Sequence, residues 1–299
     1  MAGRHRRRAE EDEDLQPELI VDLPCQTGES PHWHPFERKL YWLDIPPGRM
    51  YRYDPLTSAN ELIYEGEAIG GFTIQTDGAL LLFMARGAIR LWRNGRLTTL
   101  IEEIPEERDT RFNDVAADPA GRVFCGTMPG PTHPASLYLL ATDGSLSKVL
   151  GDISLSNGMG FTPDLRQLYH TDTRRYLINL YDYERETGAI RFNRVFARLP
   201  EGGGRPDGLV VDAEGCVWSG LFGGGCVVRF TPDGREDARI TLPARNVTCP
   251  TFAGDDYADM YVTTGGGQDR AENGPLAGSL FRLRPPVRGV PKFLSDIRV

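Results

Sequence analysis

A motif that recurs six times constrains this chain more than any other feature. Each copy holds an apolar strand, a turn rich in Gly, Pro or Asp, a second β-rich strand such as Leu40-Tyr-Trp-Leu-Asp44, a loop, and a third strand such as Met50-Tyr-Arg-Tyr53. The second strands begin at Leu40, Leu80, Val123, Leu168, Val217 and Met260, so successive starts lie 40, 43, 45, 49 and 43 residues apart. Turns such as Asp77-Gly78, Asp118-Pro-Ala-Gly121, Pro163-Asp164 and Asp212-Ala-Glu-Gly215 precede them. Those residue types suit short hairpin connections. A period of about 40 to 50 residues holding about four short strands is one unit of a β-propeller. No segment shows sustained helical periodicity. The expectation is an all-β chain, a six-bladed β-propeller with four antiparallel strands per blade, formed as a single domain by residues 17–299. Pro17-Glu-Leu-Ile-Val-Asp-Leu23 reads as a strand with nothing before it. It is expected to complete the last blade beside Pro291-Lys-Phe-Leu294, because an open ring would leave a bare sheet edge.

Composition narrows the partners. The 34 Gly and 22 Pro residues suit a fold of many tight turns. A formal charge of −8 without a sustained basic stripe argues against nucleic acid. Arg4-His-Arg-Arg-Arg8 is followed by Glu10-Glu-Asp-Glu-Asp14 where a secretory signal would need apolar residues. Residues 1–16 are therefore expected to be a solvated, disordered, charged tail. The five cysteines, at 25, 125, 216, 226 and 249, include no C-x-x-C pair. They read as buried free thiols of a cytoplasmic protein. No apolar run approaches the roughly 20 residues of a membrane span, so no membrane partner is expected. A monomer or weak homo-oligomer is.

The innermost strands of a propeller line a central channel, so residues at the same register in different repeats converge on one axis. Ten or eleven residues upstream of the second-strand starts stand Glu29, Gly70, Asn113, Asn157, Asp207 and Pro250. Four of these are acids or amides at the start of otherwise apolar strands. Asn-Gly or Asp-Gly alone would read as a turn, but the shared register and the presence of Glu29 argue for a site. Carboxylates side by side in a partly dry hub repel unless a cation joins them. An all-oxygen set suits one hard divalent ion, Ca²⁺, Mg²⁺ or Mn²⁺, with Zn²⁺ or Fe²⁺ admitted where geometry permits. Few protein ligands leave coordination positions for water and substrate, as in a catalytic centre.

At these residues the chain resembles the regucalcin / gluconolactonase / luciferin-regenerating-enzyme family. The resemblance rests on Gly28-Glu-Ser-Pro-His-Trp33, Arg111-Phe-Asn-Asp114, Ser156-Asn-Gly-Met159, Tyr169-His-Thr-Asp-Thr173 and Arg205-Pro-Asp-Gly-Leu209, in that order. It implies a six-bladed propeller that hydrolyses a small sugar lactone with one divalent metal. By motif it implies Glu29, Asn157 and Asp207 as metal ligands, and Arg111 and Asn113 as the substrate-binding pair. The animal branch has an acidic residue shortly after its Gly-Thr-Met segment. Here Gly126-Thr-Met128 is followed by Pro129-Gly-Pro131, without a carboxylate. The expected chemistry is metal-assisted ester hydrolysis, with Asp207 moving the proton of the attacking water. No G-x-S-x-G elbow supplies a serine nucleophile. Two alternatives are a related esterase or phosphotriesterase and a non-catalytic metal-binding propeller. His32-Trp-His34 is expected to pack or face solvent rather than bind metal. The glycine runs at 202–204, 223–225 and 265–267 are expected to be loops, and Asn246-Val-Thr248 carries no weight as a glycosylation site.

Overall fold

The computed structural model describes residues 15–298. Residues 1–14 of the expected tail, and the final residue of the expected domain, lie outside the described residues; Leu15 packs against an apolar cluster that includes Trp218 and Phe281. The described residues hold strands and three short 3₁₀ turns. Each second strand begins at, or one residue before, its expected start.

Hydrogen bonding divides the strands into four separate antiparallel sheets of four strands, at residues 28–65, 69–101, 112–153 and 156–198, and one continuous sheet of eight. This corrects the expectation of six blades: the class, an all-β propeller, holds, but the described residues form only four separate four-stranded blades. The last two repeats are fused because Val217–Phe222 runs on far enough for Phe222 to pair with Asn246 on the first strand of the next repeat. Glu18–Val21 pairs antiparallel with Leu280–Leu283 and supplies the outer strand of the eight-stranded sheet. The N-terminal strand thus closes the ring, but its neighbour is not Pro291–Leu294.

Residues 285–298 instead run as a strap across one end of the channel. Gly289 bridges Asp212, Ser295 bridges Gln75, and Asp296 N donates to Gly121 O at 2.8 Å. The Phe293 ring meets Phe161 edge-on at 5.8 Å. Clusters such as Phe72, Leu82 and Met50, or Phe124, Phe161 and Leu168, fill the spaces between neighbouring sheets. Apolar burial of this kind, at about 25 cal/mol per Å², is the main stabilising contribution.

The six inner strands are Gly28–His34, Ile69–Ile74, Phe112–Ala117, Ser156–Phe161, Arg205–Val211 and Asn246–Ala253. Each carries a break in register near its start: at 29/32, 69/71, 112/115, 157/159, 206/209 and 247/250. A β-bulge places two residues opposite one and re-aims the side chains beside it. The bulges all fall at one level of the channel, and that level is the candidate site.

Candidate active site

The bulges put Glu29, Asn113, Asp114, Asn157 and Asp207 at this level, and all five side chains are buried. Glycine lets the strands approach closely enough. A Cβ on Gly158 would meet Asp207 O at 2.6 Å, and one on Gly208 would meet Cys249 Sγ at 2.4 Å. Ser30, next to Glu29, holds a left-handed backbone with φ of 49°, and its N–H donates to Glu29 Oε2 at 2.5 Å. A non-glycine residue in that region is strained and is common at functional sites.

Asn157 is fixed by its neighbours. Thr173 Oγ1 donates to Pro206 O at 2.8 Å, which leaves its lone pairs to accept from Asn157 Nδ2 at 3.1 Å. Asn157 Nδ2 also donates to Asp207 Oδ1. Both amide protons are used, and a flipped amide would turn its oxygen on the Asp207 carboxylate. Asn157 Oδ1 is left buried without a hydrogen-bond partner. A buried acceptor in that state costs about 1–3 kcal/mol. Arg111 and Asn113 form a second unit. Arg111 Nη1 donates to Asn113 Oδ1 and to Phe112 O, each at 2.8 Å, while Asn113 Nδ2 donates to Ser156 O at 2.8 Å.

Three carboxylates share this hub, one more than the motifs assign. Burial pushes Glu29 well above the usual carboxylate range, and repulsion from Asp114 and Asp207 adds to it. Asp207 is raised likewise, by burial and then by Asp114, against the pull of Asn157, Arg205 and Arg111. Asp114 is pushed up to about 6 by burial, with Lys292 and Arg111 opposing. Consecutive strand residues ordinarily point to opposite faces, so the adjacency of Asn113 and Asp114 hides the second. The bulge between Phe112 and Val115 removes that alternation.

The donor set fits a hard divalent cation: an orphaned amide oxygen beside buried carboxylates that raise one another. Among the described residues no three His, Cys, Asp or Glu side chains are gathered into a cage of their own, so a cation here would draw on Asn157. His32 and His34 do not form a metal pair. His34 Nε2 donates to Gly78 O at 3.1 Å and its Nδ1 accepts from Glu37 N at 3.2 Å, whereas His32 packs on Phe72. The five cysteines are buried and free. Among the described residues no helix is long and apolar enough to cross a membrane.

The sequence profile of the SMP-30/Gluconolactonase/LRE-like region matches residues 27–266, which span all of these side chains. The chain belongs to this family. Among similar proteins, pentonolactonase XacC of Haloferax volcanii is 45% identical over 94% of this chain and 98% of its own length. The 6-deoxy-6-sulfogluconolactonase of Pseudomonas putida is 35% identical over 90% of this chain and 95% of its own. A solved calcium-binding regucalcin from Agrobacterium tumefaciens superposes with a TM-score of 0.86 at 26% identity, over 95% of this chain and 98% of that one. Luciferin-regenerating enzyme shares the fold, with a TM-score of 0.87 at 23% identity over 95% of this chain and 100% of that one.

Proposed function

We propose that this chain hydrolyses the ester bond of a small sugar lactone to the open aldonic acid, with one divalent cation held by Glu29, Asn157 and Asp207. One observation carries the reading. Asn157 Oδ1 is held without a donor at a hub where three buried carboxylates repel one another. Such a hub is costly unless a cation completes it. The names of the relatives support the class of substrate, since two similar proteins are lactonases of sugar acids.

A hard divalent ion, when bound, supplies Lewis acidity toward the lactone carbonyl. The other roles fall to side chains of this chain. Arg111, tied to Asn113 at 2.8 Å, presents a guanidinium that orients the sugar oxygens and offsets developing negative charge. Asn113 sits beside it as the second polar contact. Asp207, whose carboxyl is raised well above the usual range by burial and then by Asp114, receives the proton of the attacking water.

A serine route has one superficial support, because Ser156 Oγ lies 2.8 Å from His170 Nε2. Both side chains are fully buried, and His170 Nδ1 has no partner to orient the ring. Burial lowers His170 to about 4. A nucleophile needs access and an oriented base, and this pair has neither.

A panel of pentono- and hexonolactones, followed by acid release before and after chelation, tests the proposal. Turnover that a chelator abolishes and a single added ion restores is expected. Stability that depends on metal without turnover would point to a binding protein. Turnover of phosphotriesters but not lactones would point to the related esterase.

A further inference from the structure

A cavity lies toward the other end of the inner strands. The inner strands that begin at the carboxylate hub end around a cavity of about 620 Å³. Met159, Phe161, Leu209 and Val211 line it from the strands, and Phe293 from the strap across its floor. These walls are apolar and, apart from Phe293, buried. The volume lies within the range of about 300–1,000 Å³ typical of small-molecule sites.

Its polar groups are few and unevenly satisfied. Asp118 and Asp212 also line it, but both carboxylates are engaged. Asp118 accepts from Arg122 Nε at 2.6 Å and from Tyr183 Oη at 2.9 Å. Asp212 accepts from Trp218 Nε1 and Arg229 Nε, each at 2.9 Å. His32, only 7% exposed, lines the same cavity with Nδ1 lacking any hydrogen-bond partner. Lys292 enters from the strap, and its ammonium donates to Pro31 O at 3.2 Å. A lysine ammonium carries three donors, so one backbone carbonyl does not satisfy it. The chamber therefore combines an apolar body with a cation and an unpartnered imidazole nitrogen at one edge.

We infer that this chamber binds a small carboxylate with an apolar tail, its carboxylate on Lys292 and His32 and its chain among Met159, Phe161, Leu209, Val211 and Phe293. A sugar acid fits poorly, because the walls offer its hydroxyl groups almost no partners and each unpaired hydroxyl costs free energy on burial. Lys292 also acts on Asp114, whose rise its charge opposes, so an anion here shares that ammonium with the hub above.

The test is titration calorimetry of the intact chain with octanoate, with octan-1-ol as the uncharged control. Octanoate is expected to bind once per chain, and Lys292→Met to weaken it at least about tenfold, the loss of one charge-assisted hydrogen bond. Octanol binding should be unchanged in Lys292→Met. Ala116→Phe, which fills the chamber from its wall, should abolish binding of both probes while leaving thermal unfolding and lactone turnover near the parent values. No binding of octanoate up to about 5 mM would overturn the inference and leave a water-filled void. Binding that survives both substitutions would overturn it as well, by placing the probe on the outer surface.

Discussion

Replacing Asp114 by Asn should stabilise the metal-free protein, although buried polar residues usually lose stability on substitution. Asp114 is an ordinary carboxylate in the unfolded chain, near 3.8, and titrates at about 6 in the fold. Between those values the folded protein keeps a proton that the unfolded chain has released, so stability falls as pH rises through that window and is flat above it. At 1.36 kcal/mol per pH unit the rise corresponds to about 3 kcal/mol. Glu29 and Asp207 are raised in the same sense and extend the decline toward higher pH. Asn keeps the shape of the side chain and cannot ionise. In chelator at pH 8, Asp114→Asn should therefore unfold about 5 °C above the parent, whereas at pH 4 the two should nearly coincide. A divalent cation should raise the parent's midpoint more at pH 8 than at pH 5. Differential scanning calorimetry at those pH values measures all of this. A variant no more stable than the parent at pH 8 would refute the account of a buried, mutually repelling carboxylate hub.

Glu29→Gln and Asp207→Asn should each lower kcat/KM for the best lactone at least about 100-fold, measured by pH-stat, and both should bind Mn²⁺ more weakly by equilibrium dialysis. Ser156→Ala should keep activity within about tenfold of the parent; loss of all turnover with metal still bound would revive the serine route. Deleting residues 1–21 removes the strand that covers Leu280–Leu283. The truncated chain should melt less cooperatively and aggregate on warming, as light scattering would show.

The repeats were legible because each second strand combines a turn signal with a run of aliphatic and aromatic residues, and Val123–Thr127 and Val217–Phe222 begin where the spacing places them. The number of separate blades was not. The fusion of the last two repeats turns on one residue pair, Phe222 with Asn246, and no local pattern encodes a pairing that close to the end of a strand. Pro291–Leu294 misled for a related reason. A short apolar run beside the terminus reads equally as an edge strand or as a strap, and only the channel floor it covers decides between them. At the hub, a register shared with Gly70 and Pro250, together with acid or amide side chains, singled out Glu29, Asn113, Asn157 and Asp207. Asp114 escaped because strand alternation would turn it away, and a bulge leaves little trace in composition.

The central claim is that oxygens from separate inner strands meet around a cation. Crystals grown with Mn²⁺ and measured at its absorption edge test it most directly. One anomalous peak is expected within about 2.5 Å of Glu29, Asn157 and Asp207 side-chain oxygens, and it should vanish in Asp207→Asn. A hub without a peak in protein that hydrolyses lactone with Mn²⁺ present, or a peak bound elsewhere, would contradict the claim.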